Sequence, residues 1–512
     1  MKNFKASLKS VLLTGICFLF LSTTNAQNDR LPDPKIQAGI ARVTGSITNF
    51  KLKKGDDLPE LTLAVPSPVT AEMFIFKKKL SEDGSFDFEV PVECSINVGM
   101  IGSQLFPADA VSFGLIPGEV TKLEISYDAS GKIKANMVSS LELTSYDLPS
   151  TFKMYVNFIE DREIESCYTM TPEDFSHFAI EKLLAQRLKR SINDSIASDK
   201  AKNYITNQCK LEYLKGCLLS YKDYMALNYR QFKPKGEPDN FTPQVPNRSY
   251  YSLLKDFNLN DPQYLYNDSY SKVLLNILSN KTLNIPAIKD TPVDVWLKEV
   301  KTTMAGLIGF DSGLFYDLLA ANSYARQFNE ELKPLSDKQR ENIRSYFKNE
   351  EFTKILLKKN EAVIKLEIEK NYFKTVVNKT PSVPKEEVMN AIIAKYKGKA
   401  VLVDFWATWC GPCLDAMKET REVKNEMHGK DVVFVYITGV TSPQKLWEEK
   451  IKIIGGEHYY LTKEEWNYVL DSFSIKGIPS YLFYDTKGVL KDKVTAYPGS
   501  EKMVKMIKEL LP

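Results

Sequence analysis

The run Val401-Leu402-Val403-Asp404-Phe405-Trp406-Ala407-Thr408-Trp409-Cys410-Gly411-Pro412-Cys413 decides the fold of the carboxy-terminal part of the chain. Its first half, with Ala400, is an apolar stretch of the length of a buried strand, and a helix is predicted to begin near Cys410. The two cysteines therefore stand at a strand-to-helix junction. A thiolate, not a thiol, attacks disulfides, and a helix amino terminus favours negative charge through its unpaired amides and dipole. A free cysteine titrates near about 8.5, whereas such pairs can sit near about 7. Cys410 is predicted to be the exposed nucleophile. Cys413, one turn inward, can reach back and release a mixed disulfide. A zinc half-site would need further ligands, and this part of the chain has only His428 and His458 and no third cysteine. The sequence therefore points to no metal and no bound cofactor, the Cys410–Cys413 disulfide itself being the redox-active group.

Outward from this run the pattern alternates strand and helix, the sign of an α/β layer domain. Thr380-Pro381-Ser382-Val383-Pro384 punctuates the chain ahead of it, and a short helix is predicted over Lys385–Tyr396. Downstream come a second buried strand (Val432–Thr438) and a helix containing Trp447, which Ser442 is predicted to cap. Thr462-Lys463-Glu464-Glu465 reads as a capping box. Tyr481–Tyr484 and Val489–Lys493 flank a turn and form a terminal hairpin, and Ser500 is predicted to cap the last helix.

Together with Gly477-Ile478-Pro479-Ser480 further on, the cysteine run resembles the active-site segment and cis-proline loop of thioredoxins. The longer insert between them, with Trp447 and Trp466, is similar to exported TlpA-like relatives. The resemblance covers about residues 385–512 and implies a thioredoxin fold and thiol–disulfide oxidoreductase activity. It also implies roles. Pro479 takes a cis peptide bond and faces the cysteines, and the backbone of Ile478 pairs with an extended substrate. Asp404 is the buried acid beneath the second cysteine, its pKa raised so that it takes the proton Cys413 releases. Trp409, with Gly411 and Pro412, shapes the docking surface, while Trp406 packs beneath. Two departures stand out. The second buried strand offers no lysine near the acid, and the helix after Cys413 lacks a proline kink. The Gly-Pro dipeptide resembles reducing thioredoxins, with potentials near about −270 mV, more than oxidising proteins near about −120 mV. A reductant of exported proteins would need a membrane electron donor, which the resemblance also implies.

The rest of the chain reads differently. Residues 27–144 favour strands, with Asp83-Gly84 a hairpin signal and Ser130-Gly131 a weaker one; a small antiparallel β-sandwich is predicted. Residues 145–379 favour helices: Thr171-Pro172-Glu173-Asp174 is a helix start, and periodic segments follow at Ala201–Leu227, Pro262–Leu278, Pro292–Ile308, Ser312–Phe328 and Ser336–Lys370. The many tyrosines there read as the core of a helical bundle. Residues 380–512 form the α/β domain. The first two regions carry no clustered catalytic residues and read as modules for positioning clients or for assembly.

With 512 residues, 43% hydrophobic and 26% charged, the chain is multi-domain and globular rather than disordered. Residues 1–26 form a secretory signal: a basic start, an apolar run Val11–Leu21, and Thr24-Asn25-Ala26 as the cleavage site. The run falls short of the about 20 residues that span a bilayer. Cys17 follows Ile16, which is not the small residue a lipoprotein signal needs, so no lipid anchor is expected. Without the three lysines of this segment the charge balances at 65 basic and 65 acidic residues, which gives no reason to expect nucleic acid. The mature chain is predicted to be periplasmic, without a membrane span. Six cysteines then remain, too few for a disulfide scaffold. Cys209 and Cys217 on one unbroken helix lie about 12 Å apart, beyond disulfide reach, so they could bridge only across a break near Gly216 or with Cys167, and isolated buried thiols are the expectation. The sequence thus points to a periplasmic reductant of disulfides in exported client proteins. An envelope-assembly module with an auxiliary redox domain, or an oxidase or isomerase, are the alternatives.

Overall fold

A computed structural model describes residues 30–50, 58–102, 111–128, 133–138, 141, 165–192, 198–238, 241–370 and 374–511. The expected signal with Cys17 and Ala26, the expected Ser130-Gly131 turn and the first residues of the expected helical region lie outside these. The chain divides into two compact units, one of residues up to 331 with 335–360, the other of 361–512 with 332–334.

The first unit begins with two four-stranded sheets. One has the order β4-β1-β7-β8 and the other β3-β2-β5-β6, where β1 is Gly39–Thr48, β2 Glu60–Ser67, β3 Glu72–Lys79, β4 Ser85–Val92, β5 Ile96–Gly102, β6 Val111–Leu115, β7 Val120–Tyr127 and β8 Ile133–Val138. Alternation decides which residues turn inward. Phe86, Phe88, Val90 and Val92 of β4, and Thr121, Leu123 and Ile125 of β7, are buried. Two expectations are corrected. The region is not purely antiparallel, because β1 and β7 pair in parallel. Asp83-Gly84 does not close a hairpin: β3 pairs with β2 while β4 pairs with β1, so this turn carries the chain from one sheet to the other. Gly84 sits at φ +81°, and a Cβ there would lie 2.3 Å from the Ile47 carbonyl oxygen.

Helices follow, among them Asp199–Tyr213, Tyr221–Phe232, Val293–Ile308 and Leu314–Arg326. Thr171 caps the helix Pro172–Phe178 as the sequence predicts. The segment read as one helix over 336–370 is two, Asp337–Tyr346 and Glu350–Lys370, because the Asn349 side chain accepts the Glu351 N–H and starts the second. Tyr213, Tyr264, Tyr266, Tyr270, Tyr316 and Tyr324 are fully buried core residues. Tyr264 and Tyr270 donate their hydroxyls to the Phe257 and Leu259 carbonyls, which removes the cost of burying them. Cys94, Cys167, Cys209 and Cys217 are all buried and free of disulfides.

The second unit is built on a six-stranded sheet of order β14-β13-β10-β11-β12-β9. Here β9 is Thr375–Val377, β10 Ala400–Phe405, β11 Val432–Gly439, β12 Gly456–Leu461, β13 Ser480–Tyr484 and β14 Leu490–Thr495. The sheet thus takes in a strand ahead of the expected boundary at 380. β9, β12, β11 and β10 run parallel, and the β13–β14 hairpin is antiparallel to β10. Helices cover both faces, which is why β10 is apolar almost throughout. Leu402 and Trp406 pack with Cys413, Met417 and Met427 of α2 (Gly411–Met427) and Met503 and Ile507 of α5 (Ser500–Lys508). Val401, Val403 and Phe405 pack with Ile392 of α1 (Val388–Ala394) and Trp466 of α4 (Lys463–Ser472). The Thr462–Glu465 capping box is present. Ser442 and Ser500 are not caps: Pro443 precedes α3 (Gln444–Ile451) and Gly499 precedes α5, neither with a side-chain cap.

Candidate active site

β10 delivers the loop 406–409 to the amino terminus of α2, and Cys410 is the residue that caps this helix. Its Sγ accepts the Cys413 N–H at 3.2 Å, and Pro412 occupies the first turn, where no amide is required. Cys410 and Cys413 are joined as a disulfide with their Cα atoms 5.3 Å apart. Cys410 is not the exposed residue the sequence predicts: it retains 4% of its surface and Cys413 none, because Cys410 lies in the apolar cluster with Trp406 and Ile478. Gly411 and Pro412 beside them are exposed, and Trp409 is 63% exposed at the rim. Trp406 is fully buried below.

The second loop meets the first at Cys410. The Ile478–Pro479 peptide is cis, and the Ile478 carbonyl oxygen lies 3.8 Å from Cys410 Sγ. Ser480 ties this turn by donating to the Gly477 carbonyl, and Ala496 of the following strand region donates to the Pro479 carbonyl. Trp409, the start of α2 with Gly411, Pro412 and Cys413, and the Ile478–Pro479 loop thus meet around Cys410.

Asp404 stands on the face of β10 that turns toward α2, since it alternates with Leu402 and Trp406. Its neighbours across the sheet are Tyr481 on β13 and Tyr436 on β11, and Tyr436 in turn pairs with His458 on β12. All four are buried. Burial pushes the Asp404 carboxyl up to about 8, with the Lys424 charge opposing. Its Oδ1 has no hydrogen-bond partner among the described residues.

Lys424 is the residue that sequence reasoning missed. No lysine comes from β11, as expected, but one arrives from α2 instead. Lys424 is buried, donates to the Ile454 and Gly455 carbonyls at 2.7 and 3.0 Å, and holds its ammonium 4.6 Å from the centre of the Tyr436 ring. Burial pulls its pKa down to about 7, with the Arg421 charge acting in the same direction and Asp404 opposing. His458 stacks on Tyr436, and burial together with the Lys424 charge lowers it to about 3, so it is neutral at pH 7. The signal was present in the helical spacing: Cys413, Ala416, Met417, Thr420, Val423, Lys424 and Met427 are the buried stripe of α2, and a lysine at such a position has an inward task.

Residues 389–511 match the model of the thioredoxin-like domain. The chain is 32% identical over 117 residues to an uncharacterized protein of Haemophilus influenzae, covering 22% of this chain and 73% of that protein. It is 26% identical over 120 residues to the thiol-disulfide oxidoreductase ResA of Geobacillus kaustophilus, covering 23% and 68%. Among solved structures it is similar to a putative thiol-disulfide oxidoreductase of Bacteroides vulgatus, with 27% identity, 23% and 78% coverage and a TM-score of 0.21.

Proposed function

Starting from the membership of this chain in the thioredoxin-like family, through a domain homologous to thiol–disulfide oxidoreductases, we propose that it reduces disulfides of exported client proteins with the Cys410–Cys413 dithiol. The observation that carries this reading is the placing of the pair: Cys410 caps a helix amino terminus beside the cis-proline loop and keeps a trace of exposure, while Cys413 is fully buried behind it. The Cys410 thiolate attacks one client sulfur, forms the mixed disulfide and expels the other client sulfur as a thiolate. Cys413 then gives up its proton and attacks Cys410 Sγ. The second client thiolate leaves, two electrons have passed to the client, and the enzyme holds its own disulfide.

Asp404 takes the proton from Cys413. Burial raises the Asp404 carboxyl to about 8, which makes its ionised form a stronger base toward the Cys413 thiol than an ordinary carboxylate. The Lys424 ammonium moderates that basicity, since its charge favours the ionised carboxylate. Trp409, Gly411, Pro412 and the Ile478 backbone receive the client, with Pro479 shaping the loop. The amino-terminal signal directs the chain to the periplasm, and a membrane electron donor returns the dithiol to its reduced form. No described helix is long and apolar enough to cross a membrane.

The test is capture. Cys413→Ser, expressed as the full chain, lacks the resolving sulfur and is expected to accumulate mixed disulfides through Cys410 with exported proteins, seen on non-reducing gels and mapped by mass spectrometry. Cys410→Ser gives none. Equal trapping by both variants, or none by either, contradicts the proposal.

A further inference from the structure

Ser442 does not cap its helix, and its polar atoms are all engaged elsewhere. It is fully buried in the loop between β11 and α3. Its Oγ accepts the Thr408 N–H at 3.0 Å and lies 2.8 Å from Thr438 Oγ1, with which it shares a hydrogen bond. Its carbonyl accepts the Tyr460 hydroxyl at 2.5 Å, and its own N–H goes to the Gly439 carbonyl at 3.0 Å. Two strands, β11 through Thr438 and β12 through Tyr460, therefore converge on one serine. That serine grips the loop between β10 and α2 by a single backbone amide.

The gripped residue is Thr408, next to the exposed Trp409 and two residues before Cys410. Within the loop the Cys410 N–H closes a turn on the Ala407 carbonyl at 3.0 Å. The turn fixes the local shape of the loop, while the Ser442 hydroxyl fixes its position over the sheet. Removing that hydroxyl leaves the Thr408 amide and the Thr438 hydroxyl without this partner in a dry site. A buried donor left unpaired is costly, so the loop must shift to find another acceptor.

Resting on the reading that Trp409 docks the client, we propose that Ser442 is a positioning residue for client recognition. It holds Trp409 where a disulfide-bonded polypeptide is presented to Cys410. A small disulfide that needs only the sulfur, and no contact with Trp409, does not depend on it.

The experiment compares the full chain with Ser442→Ala and Ser442→Thr, using insulin as the polypeptide disulfide and hydroxyethyl disulfide as the small one. Ser442→Ala is expected to lower kcat/KM for insulin roughly tenfold, mostly through KM, the size of one lost hydrogen bond. Its rate with hydroxyethyl disulfide stays unchanged, and Ser442→Thr, which keeps the hydroxyl, recovers the insulin rate. An unchanged insulin KM in Ser442→Ala, or an equal loss with both disulfides, overturns the proposal. Should Ser442→Ala fail to fold, Tyr460→Phe removes the hydrogen bond that holds the Ser442 carbonyl, loosens the serine's own loop, and must show the same insulin-selective rise in KM. Its absence likewise overturns the proposal. Wild-type protein that leaves insulin disulfides intact while reducing the small one would refute the client reading itself, and this inference with it.

Discussion

Two residues separate Cys410 from Cys413, and both cysteines are buried, Cys410 keeping a trace of exposure and Cys413 none. The order was legible in the sequence, with the first cysteine at the cap and the second a turn inward, but the burial of Cys410 was not, since the covering loop around Ile478 comes from far along the chain. Asp404 was legible through its resemblance and its place in an otherwise apolar strand. Lys424 was not, since attention fell on the strand beside the acid, whereas the charge comes down from the helix above. The buried acid has a consequence for stability. Its folded-state pKa, about 8, lies above its value in the unfolded chain. The neutral carboxyl's contribution is therefore fully present below about pH 4 and is lost as the pH rises toward 8. In the oxidised protein, Asp404→Asn should leave the Tm near pH 4 unchanged and raise it at pH 8 by about a few degrees. A thermal melt series across this range checks it, and a Tm difference independent of pH would contradict the assignment.

At the scale of elements, the sequence located strands and helices well where a local rule had no competitor. The Thr462–Glu465 capping box is one example and the Thr171-Pro172 helix start another. It failed where tertiary partners outbid a local signal. Ser442 had the right residue type and place for a cap, but Thr408, Thr438 and Tyr460 surround it. Asp83-Gly84 had the letters of a hairpin, but its flanking strands belong to different sheets. Gly439 ends β11 for a reason no sequence pattern shows: a Cβ there would lie 2.6 Å from the Trp466 ring. Gly439→Ala should accordingly destabilise the second unit by about 1–3 kcal/mol, the usual cost of overpacking. Urea unfolding followed by tryptophan fluorescence reads it, and an unshifted midpoint would mean that α4 yields without cost.

At the scale of the molecule, the chain divides into two compact units, and the candidate site lies in the second. The first unit supplies two sheets and a tyrosine-rich helical core, and its four described cysteines are buried and form no disulfide. Burial pushes Cys167 and Cys209 up to about 12 and the other two higher still, so none of them is a competing nucleophile near neutral pH. This supports the proposal that redox chemistry belongs to Cys410 and Cys413. The most direct test is to equilibrate the full chain with glutathione or dithiothreitol buffers of graded potential and map the oxidation of each cysteine by alkylation and mass spectrometry. The account predicts that only the Cys410–Cys413 pair titrates, with a midpoint near about −270 mV. A midpoint near about −120 mV, or exchange at the buried cysteines while this pair stays inert, would contradict it.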